Sequence, residues 1–146
     1  MLTGHLALLL HAHLPFVRHP EHEDFLEEDW LFEAITESYL PLLRLLRRLA
    51  AEAVNFRLTI TLTPPLCAML RDELLQERYL RYLARLIALA EHEVERNQHH
   101  AQLGELAQFY RRFFTEARAF FEETLGRDVV RAFRELQDAG VLEIIA

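Results

Sequence analysis

The 146-residue chain contains no lysine, all 16 of its basic residues being arginine. Schiff-base formation and other lysine-dependent chemistry are therefore excluded from these residues. A single cysteine, Cys67, allows no internal disulfide, and this usage fits a reducing cytoplasm. A lone thiol in apolar surroundings reads as core, not as a nucleophile. Positive charge is also scarce, because 16 basic residues stand against 23 acidic ones and leave a net charge of −7 with histidine neutral. No basic field draws in a phosphate backbone or an anionic bilayer, so neither nucleic acid nor membrane is an expected partner. No apolar stretch approaches the roughly 20 residues that cross a bilayer. No Lys or Arg precedes the first apolar run, and histidines interrupt it before any small-residue cleavage site, which argues against a signal peptide. The expectation is a soluble, cytoplasmic protein.

With 51% hydrophobic residues, a chain of this length can bury the core of one domain. Its organising stretch is Leu6-Ala7-Leu8-Leu9-Leu10-His11-Ala12-His13-Leu14-Pro15, in which aliphatic residues run into two histidines and a proline ends the run. A continuous aliphatic run of this kind predicts a parallel strand buried on both faces. Strand geometry puts His11 and His13 on the same face, at the carboxyl end where α/β proteins place their sites.

Pro15 to Asp29 is polar and acidic and reads as a loop. Apolar positions then recur at three and four from Leu31 to Leu49, predicting a helix over 30–51, with Asp29 at its cap and Pro41 kinking or dividing it near Leu40. Phe56 to Thr63 reads as a second strand, followed by Thr63 as cap and a short helix over 65–71. Asp72 caps a long amphipathic helix with Leu75, Tyr79, Leu83, Leu86 or Ile87, Ala90 and Val94 on its apolar stripe. A break at 97–100 precedes a helix over 101–123, whose Leu106, Phe109, Tyr110, Phe113, Phe114, Ala117, Phe120 and Phe121 predict an aromatic buried side. Gly126 ends that helix. Asp128 opens the last one, Gly140 stops it in the left-handed conformation, and Val141 to Ile145 reads as a third strand.

Strand, helix, strand, several helices, strand is the order of an α/β fold with parallel strands joined by crossover helices. Three such strands make a poor closed domain, and a (β/α) barrel typically needs ~250 residues. The chain is therefore expected to be the amino-terminal part of a larger barrel-like catalytic domain, predominantly helical by content. Its strand edges are expected to stay exposed and to promote self-association.

His11 and His13 are the first candidates for chemistry. Such a pair can bind a divalent metal, as in metal-dependent hydrolases on barrels, or hydrogen-bond a polar substrate; otherwise His11 satisfies a backbone carbonyl and His13 is solvated. Glu27-Glu28-Asp29-Trp30 sets carboxylates beside an indole, a combination used on sugars, although acids at a helix start equally serve the helix dipole. Glu91-His92-Glu93-Val94-Glu95 with His99 and His100 has metal-ligand composition but lacks a Glu-x-x-His pair, and reads as a solvated helix end.

Gly4-His5-Leu6-Ala7-Leu8-Leu9-Leu10-His11-Ala12-His13-Leu14-Pro15-Phe16-Val17-Arg18 resembles the first signature region of glycoside hydrolase family 57, an apolar strand followed by His-x-His-x-Pro, and is nearest to the branching-enzyme branch. The resemblance continues through the stretch from Glu27 to Leu43, through Leu62-Thr63-Pro64-Pro65-Leu66, and from Leu70 to Tyr79. It implies a retaining enzyme that cuts an α-1,4-glucan and rejoins the piece through an α-1,6 bond, on an incomplete seven-stranded (β/α)7 barrel and without a metal or other cofactor. It also implies a glutamate nucleophile and an aspartate acid/base in later signature regions, beyond residue 146, so that this chain alone is inactive. Only His11 and His13 carry over as sugar-binding groups, with Trp30 as a neighbour. The loop from His19 to Asp24 lacks the aromatic that some branching enzymes place at the cleft entrance. Within the family, an α-amylase or 4-alpha-glucanotransferase is the alternative. Outside it stand a metal-dependent hydrolase using His11 and His13, and a noncatalytic helical interaction module.

Overall fold

The segments between the apolar runs are long enough to carry the chain back across a sheet, which parallel pairing requires. The computed structural model describes Gly4 and residues 6–145; His5 and Ala146 lie outside the described residues. Strands β1 (Leu9–Ala12), β2 (Leu58–Leu62) and β3 (Leu142–Ile145) form one parallel sheet in the order β1-β2-β3. His11 lies opposite Thr61, and Thr61 opposite Ile145.

Period two then sorts the two faces. Ala12, Ile60, Leu62 and Leu142 are buried against the helices, with Leu10, Leu58 and Ile144 packed beside them. The opposite face carries Leu9, His11, Thr59, Thr61, Glu143 and Ile145, and no layer among the described residues covers it. Leu6, Leu8 and Leu9 are 94%, 51% and 57% exposed, the apolar strand surface expected of a chain that holds three strands. Among the described residues, β1 has β2 as its neighbour and one covered face.

The first helical segment differs from expectation at both ends of the argument. It begins at Leu26, with extended Phe25 in the cap position, so Asp29 lies inside the helix and caps nothing. Pro41 does not divide it. Helix α1 (Leu26–Glu33) passes through a wider π turn (Ala34–Tyr39) directly into α2 (Leu40–Ala51). The Leu40 N–H donates to the carbonyl of Ile35, five residues back. Widening the turn just before the proline accommodates a residue that lacks an N–H and crowds the preceding turn.

Helix α3 (Pro64–Arg71) has Thr63 in its cap position, yet the hydroxyl makes no capping bond. A cap accepts from the second or third helical N–H, and the second position here is Pro65, which has none. Asp72 does cap α4 (Glu73–Arg96), accepting from the Leu75 N–H at 3.0 Å, and Asp128 caps α6 (Val129–Asp138), accepting from Arg131 at 2.8 Å. Gly126 and Gly140 adopt φ of 57° and 75°, the left-handed conformation that ends a helix cheaply with glycine.

Helix α5 (Ala101–Ala119), continued by a π turn (Phe120–Thr124), buries less than its pattern predicts. Ala117 and Phe121 are in the core, but Leu106, Phe109 and Tyr110 are 51%, 51% and 44% exposed. An amphipathic stripe marks the face that prefers cover; helix α5 finds that cover mainly along α4.

The core centres on Tyr79, Phe121, Phe133 and the leucines of α2, α3 and α4. Tyr79 meets Phe121 edge-on at 4.9 Å, and its hydroxyl lies 3.0 Å from that of Thr36 in the π turn. Burial pushes the Tyr79 phenol well above its ordinary value of 10.0, and burial, with Glu33, Asp29 and Glu37 nearby, pushes Tyr82 up to about 12. A raised phenol pKa stabilises the fold fully below the ordinary value. That contribution is lost as pH rises from about 10 through about 12, because the unfolded chain ionises first. The expected decline is at most about 1.4 kcal/mol per pH unit for the buried Tyr79 phenol, and smaller for Tyr82, which solvent partly screens. Urea unfolding across alkaline pH should show it, and Tyr79→Phe should flatten it; an unchanged slope in that variant would contradict this account.

Candidate functional site

The open face of the sheet is where the chain concentrates polar side chains on a rigid element. Alternation in Leu58-Thr59-Ile60-Thr61-Leu62 sends both threonines to this face, and the parallel register sets Thr61 beside His11. His11 Nδ1 lies 2.7 Å from Thr61 Oγ1, and the same oxygen accepts from the Ala12 N–H at 3.2 Å. Across the next ladder, the Thr59 hydroxyl donates to Glu143 Oε2 at 2.8 Å. The His11 and His13 rings lie 5.8 Å apart, tilted by 30°, and both are exposed. Two imidazoles and a row of short polar groups thus stand together where β1 runs out. At the equivalent end of β2, Thr63 Oγ1 is buried without a partner among the described residues.

The loop leaving His13 is held by charge. Val17 is buried, with its N–H on Met69 Sδ, and Arg18 pairs with Asp72 at 2.6 Å. Glu28 and Arg78, 1% and 6% exposed, form an ion pair at 2.5 Å. Arg78 also donates to the carbonyls of His19 and His22, while Glu28 accepts the His19 N–H at 3.1 Å. Farther out, Arg85 pairs with Asp24 at 2.8 Å. Glu28, read from sequence as one of the acids of a helix start, is therefore buried as half of a clamp. Asp29 beside it has its carboxyl pKa raised, chiefly by burial, with Asp24 and Glu28 adding to the effect and Arg85 opposing it.

Of the residues singled out in the sequence, His11 and His13 come together. Trp30 is 50% exposed on α1, and no ring contact joins it to either histidine among the described residues. In the Glu91–Glu95 region, Glu93 takes Arg96 and Asn97 as partners, and His100 accepts from the Leu103 N–H. No group of three or more His, Cys, Asp or Glu among the described residues is arranged to hold a metal. Cys67 is partly buried, and burial raises its thiol pKa, which keeps the weakly nucleophilic protonated form. The residues missed from sequence are Thr61, Glu143 and Arg78. Threonine alternation could have flagged Thr61, whereas Arg78, next to Tyr79 at the margin of a helical stripe, looks like any surface arginine.

A hollow of about 390 Å³ between α4 and α5 is mainly apolar, lined by Leu86, Leu89, Leu106, Tyr110 and Phe114, with Glu93, Arg96 and Asn97 also in its wall.

Comparison with known proteins agrees with this geometry. The model of the family described as Glycosyl hydrolase family 57 matches residues 7–146. The chain is 32% identical over 145 residues to the 1,4-alpha-glucan branching enzyme TK1436 of Thermococcus kodakarensis, covering 99% of this chain and 21% of that protein. Among solved structures, the GH57-type branching enzyme of Pyrococcus horikoshii superposes with a TM-score of 0.89 at 36% identity, over 97% of this chain and 26% of the other. The α-amylase AmyC of Thermotoga maritima superposes at 0.86 and 45% identity, over 95% and 26%. The chain thus spans about a fifth to a quarter of the length of these relatives. With the family model matching nearly from end to end, and with the paired histidines standing at the tip of a parallel strand, the chain belongs to glycosyl hydrolase family 57.

Proposed function

We propose that this chain is the amino-terminal part of an α-glucan-acting barrel enzyme that cleaves α-1,4 links and rejoins the fragments through α-1,6 links. The observation that carries the reading is the likeness, over 99% of the chain, to a branching enzyme. In this proposal the three strands are the first part of an incomplete (β/α)7 barrel, and their open polar face lines its cleft. His11 and His13 hydrogen-bond sugar hydroxyls, and Trp30 offers an aromatic surface nearby. The glutamate nucleophile and the aspartate acid/base come from residues outside this chain, which alone is inactive.

A second reading, hydrolysis by an α-amylase, is favoured by the 45% identity to AmyC. Incubating the intact enzyme with amylose separates the two. New branch points without growth in reducing ends are expected for branching; a steady release of reducing ends would transfer the assignment to amylase.

A further inference from the structure

The His11–Thr61 contact contains more information than its length. Thr61 Oγ1 accepts from the Ala12 N–H, and among the described residues the one acceptor within reach of its own hydrogen is His11 Nδ1. A hydroxyl has a single hydrogen, and a neutral imidazole has one donor and one acceptor nitrogen. If the hydroxyl donates to Nδ1, the contacts at Oγ1 and Nδ1 are all matched, and the ring hydrogen is on Nε2, on the exposed side. If instead Nδ1–H donates to Oγ1, that oxygen accepts twice and its own hydrogen is left without a protein acceptor.

We infer that Thr61 is a positioning residue for His11, holding the neutral imidazole in the tautomer that presents Nε2–H at the strand tip. The partner on the opposite strand determines which ring nitrogen carries the hydrogen. His11 therefore meets its ligand as a hydrogen-bond donor at Nε2. That donor suits a sugar hydroxyl or glycosidic oxygen, and this part of the inference rests on the α-glucan reading. It does not suit a cation, which needs the Nε2 lone pair and hence the opposite tautomer, with Nδ1–H bonded to its neighbour.

The tautomer is measured directly on protein labelled with ring-15N histidine, through two-bond proton–nitrogen correlations at a pH where the ring is neutral. The hydrogen is expected on Nε2 of His11 in the wild type and in Thr61→Ser, and distributed over both nitrogens in Thr61→Val. A wild-type ring with its hydrogen on Nδ1, or a Thr61→Val spectrum like the wild type, would overturn the inference. In the intact enzyme acting on amylose, kcat/KM should fall on the order of tenfold in Thr61→Val and recover in Thr61→Ser. Full activity in a Thr61→Val enzyme that has lost the single tautomer would overturn the positioning role and leave the α-glucan reading standing. An intact wild-type enzyme inactive on amylose would remove that reading and the donor role toward sugar, while the spectrum still decides the tautomer. Should Thr61→Val fail to fold, Thr61→Ala carries the same comparison, and a Thr61→Ala spectrum like the wild type would overturn the inference.

Discussion

Replacing Arg78 by alanine should destabilise this chain by about 3 to 5 kcal/mol, the usual cost of removing one partner from a buried ion pair. The carboxylate of Glu28, 1% exposed, would keep only the His19 N–H as a partner. The His22 carbonyl would lose its donor as well, and the His19 carbonyl would be left with the His22 N–H. Such a loss lowers the folding equilibrium constant by roughly a hundred- to several-thousandfold. Replacing both partners, Glu28→Leu with Arg78→Met, should recover part of the loss and not all of it, because the His22 carbonyl stays without its Arg78 donor. Arg78 Nε is buried without a partner, so the native pair is itself imperfectly satisfied. Urea unfolding of the two variants checks the account. A loss below about 1 kcal/mol in Arg78→Ala would place this pair with surface salt bridges.

The second expectation concerns activity instead of stability. His11→Ala in the intact enzyme should reduce turnover on the order of ten- to a hundredfold, about 1.4 to 2.7 kcal/mol. The imidazole's contact with the sugar matters to the extent that it strengthens toward the oxocarbenium-like transition state. The melting temperature should change little, since His11 is exposed and its bonded partner is the Thr61 hydroxyl. A destabilised variant with full activity per folded molecule would make His11 a structural residue. Turnover and thermal unfolding measured on one preparation discriminate between these outcomes.

Much of this site was legible in the chain, and the failures have physical causes. The parallel α/β order and the pairing of His11 with His13 on one face follow from apolar runs and period two. Leu8 and Leu9 are exposed here although their run reads as buried, because a run of leucines marks a face that prefers cover and does not say which part of the chain supplies it. The threonines of β2 are more telling, since Thr59 and Thr61 mark the face that their aliphatic neighbours avoid. Asp29 attracted the helix start by its capping chemistry, yet Leu26 begins the helix, and Glu28 is needed inward against Arg78. No periodicity distinguishes that arginine from an exposed one. The Thr61 contact was out of reach for another reason, because the register between strands 50 residues apart is set by tertiary packing.

The wide spacing of the sheet also orders events as the chain folds. His11 meets Thr61 across 50 residues and Thr59 meets Glu143 across 84, whereas α4 and α5 are joined by a turn of a few residues. Closing the longer span costs only about 0.5 kcal/mol more than the shorter, so the two strand pairings are near rivals in time. Both trail the local α4–α5 hairpin, because non-local contacts must absorb loop-closure entropy before they return any stabilisation. The tip that carries the histidines is thus among the last parts to take shape, and a growing chain carries Leu8 and Leu9 unpaired until residue 59 or later has been made.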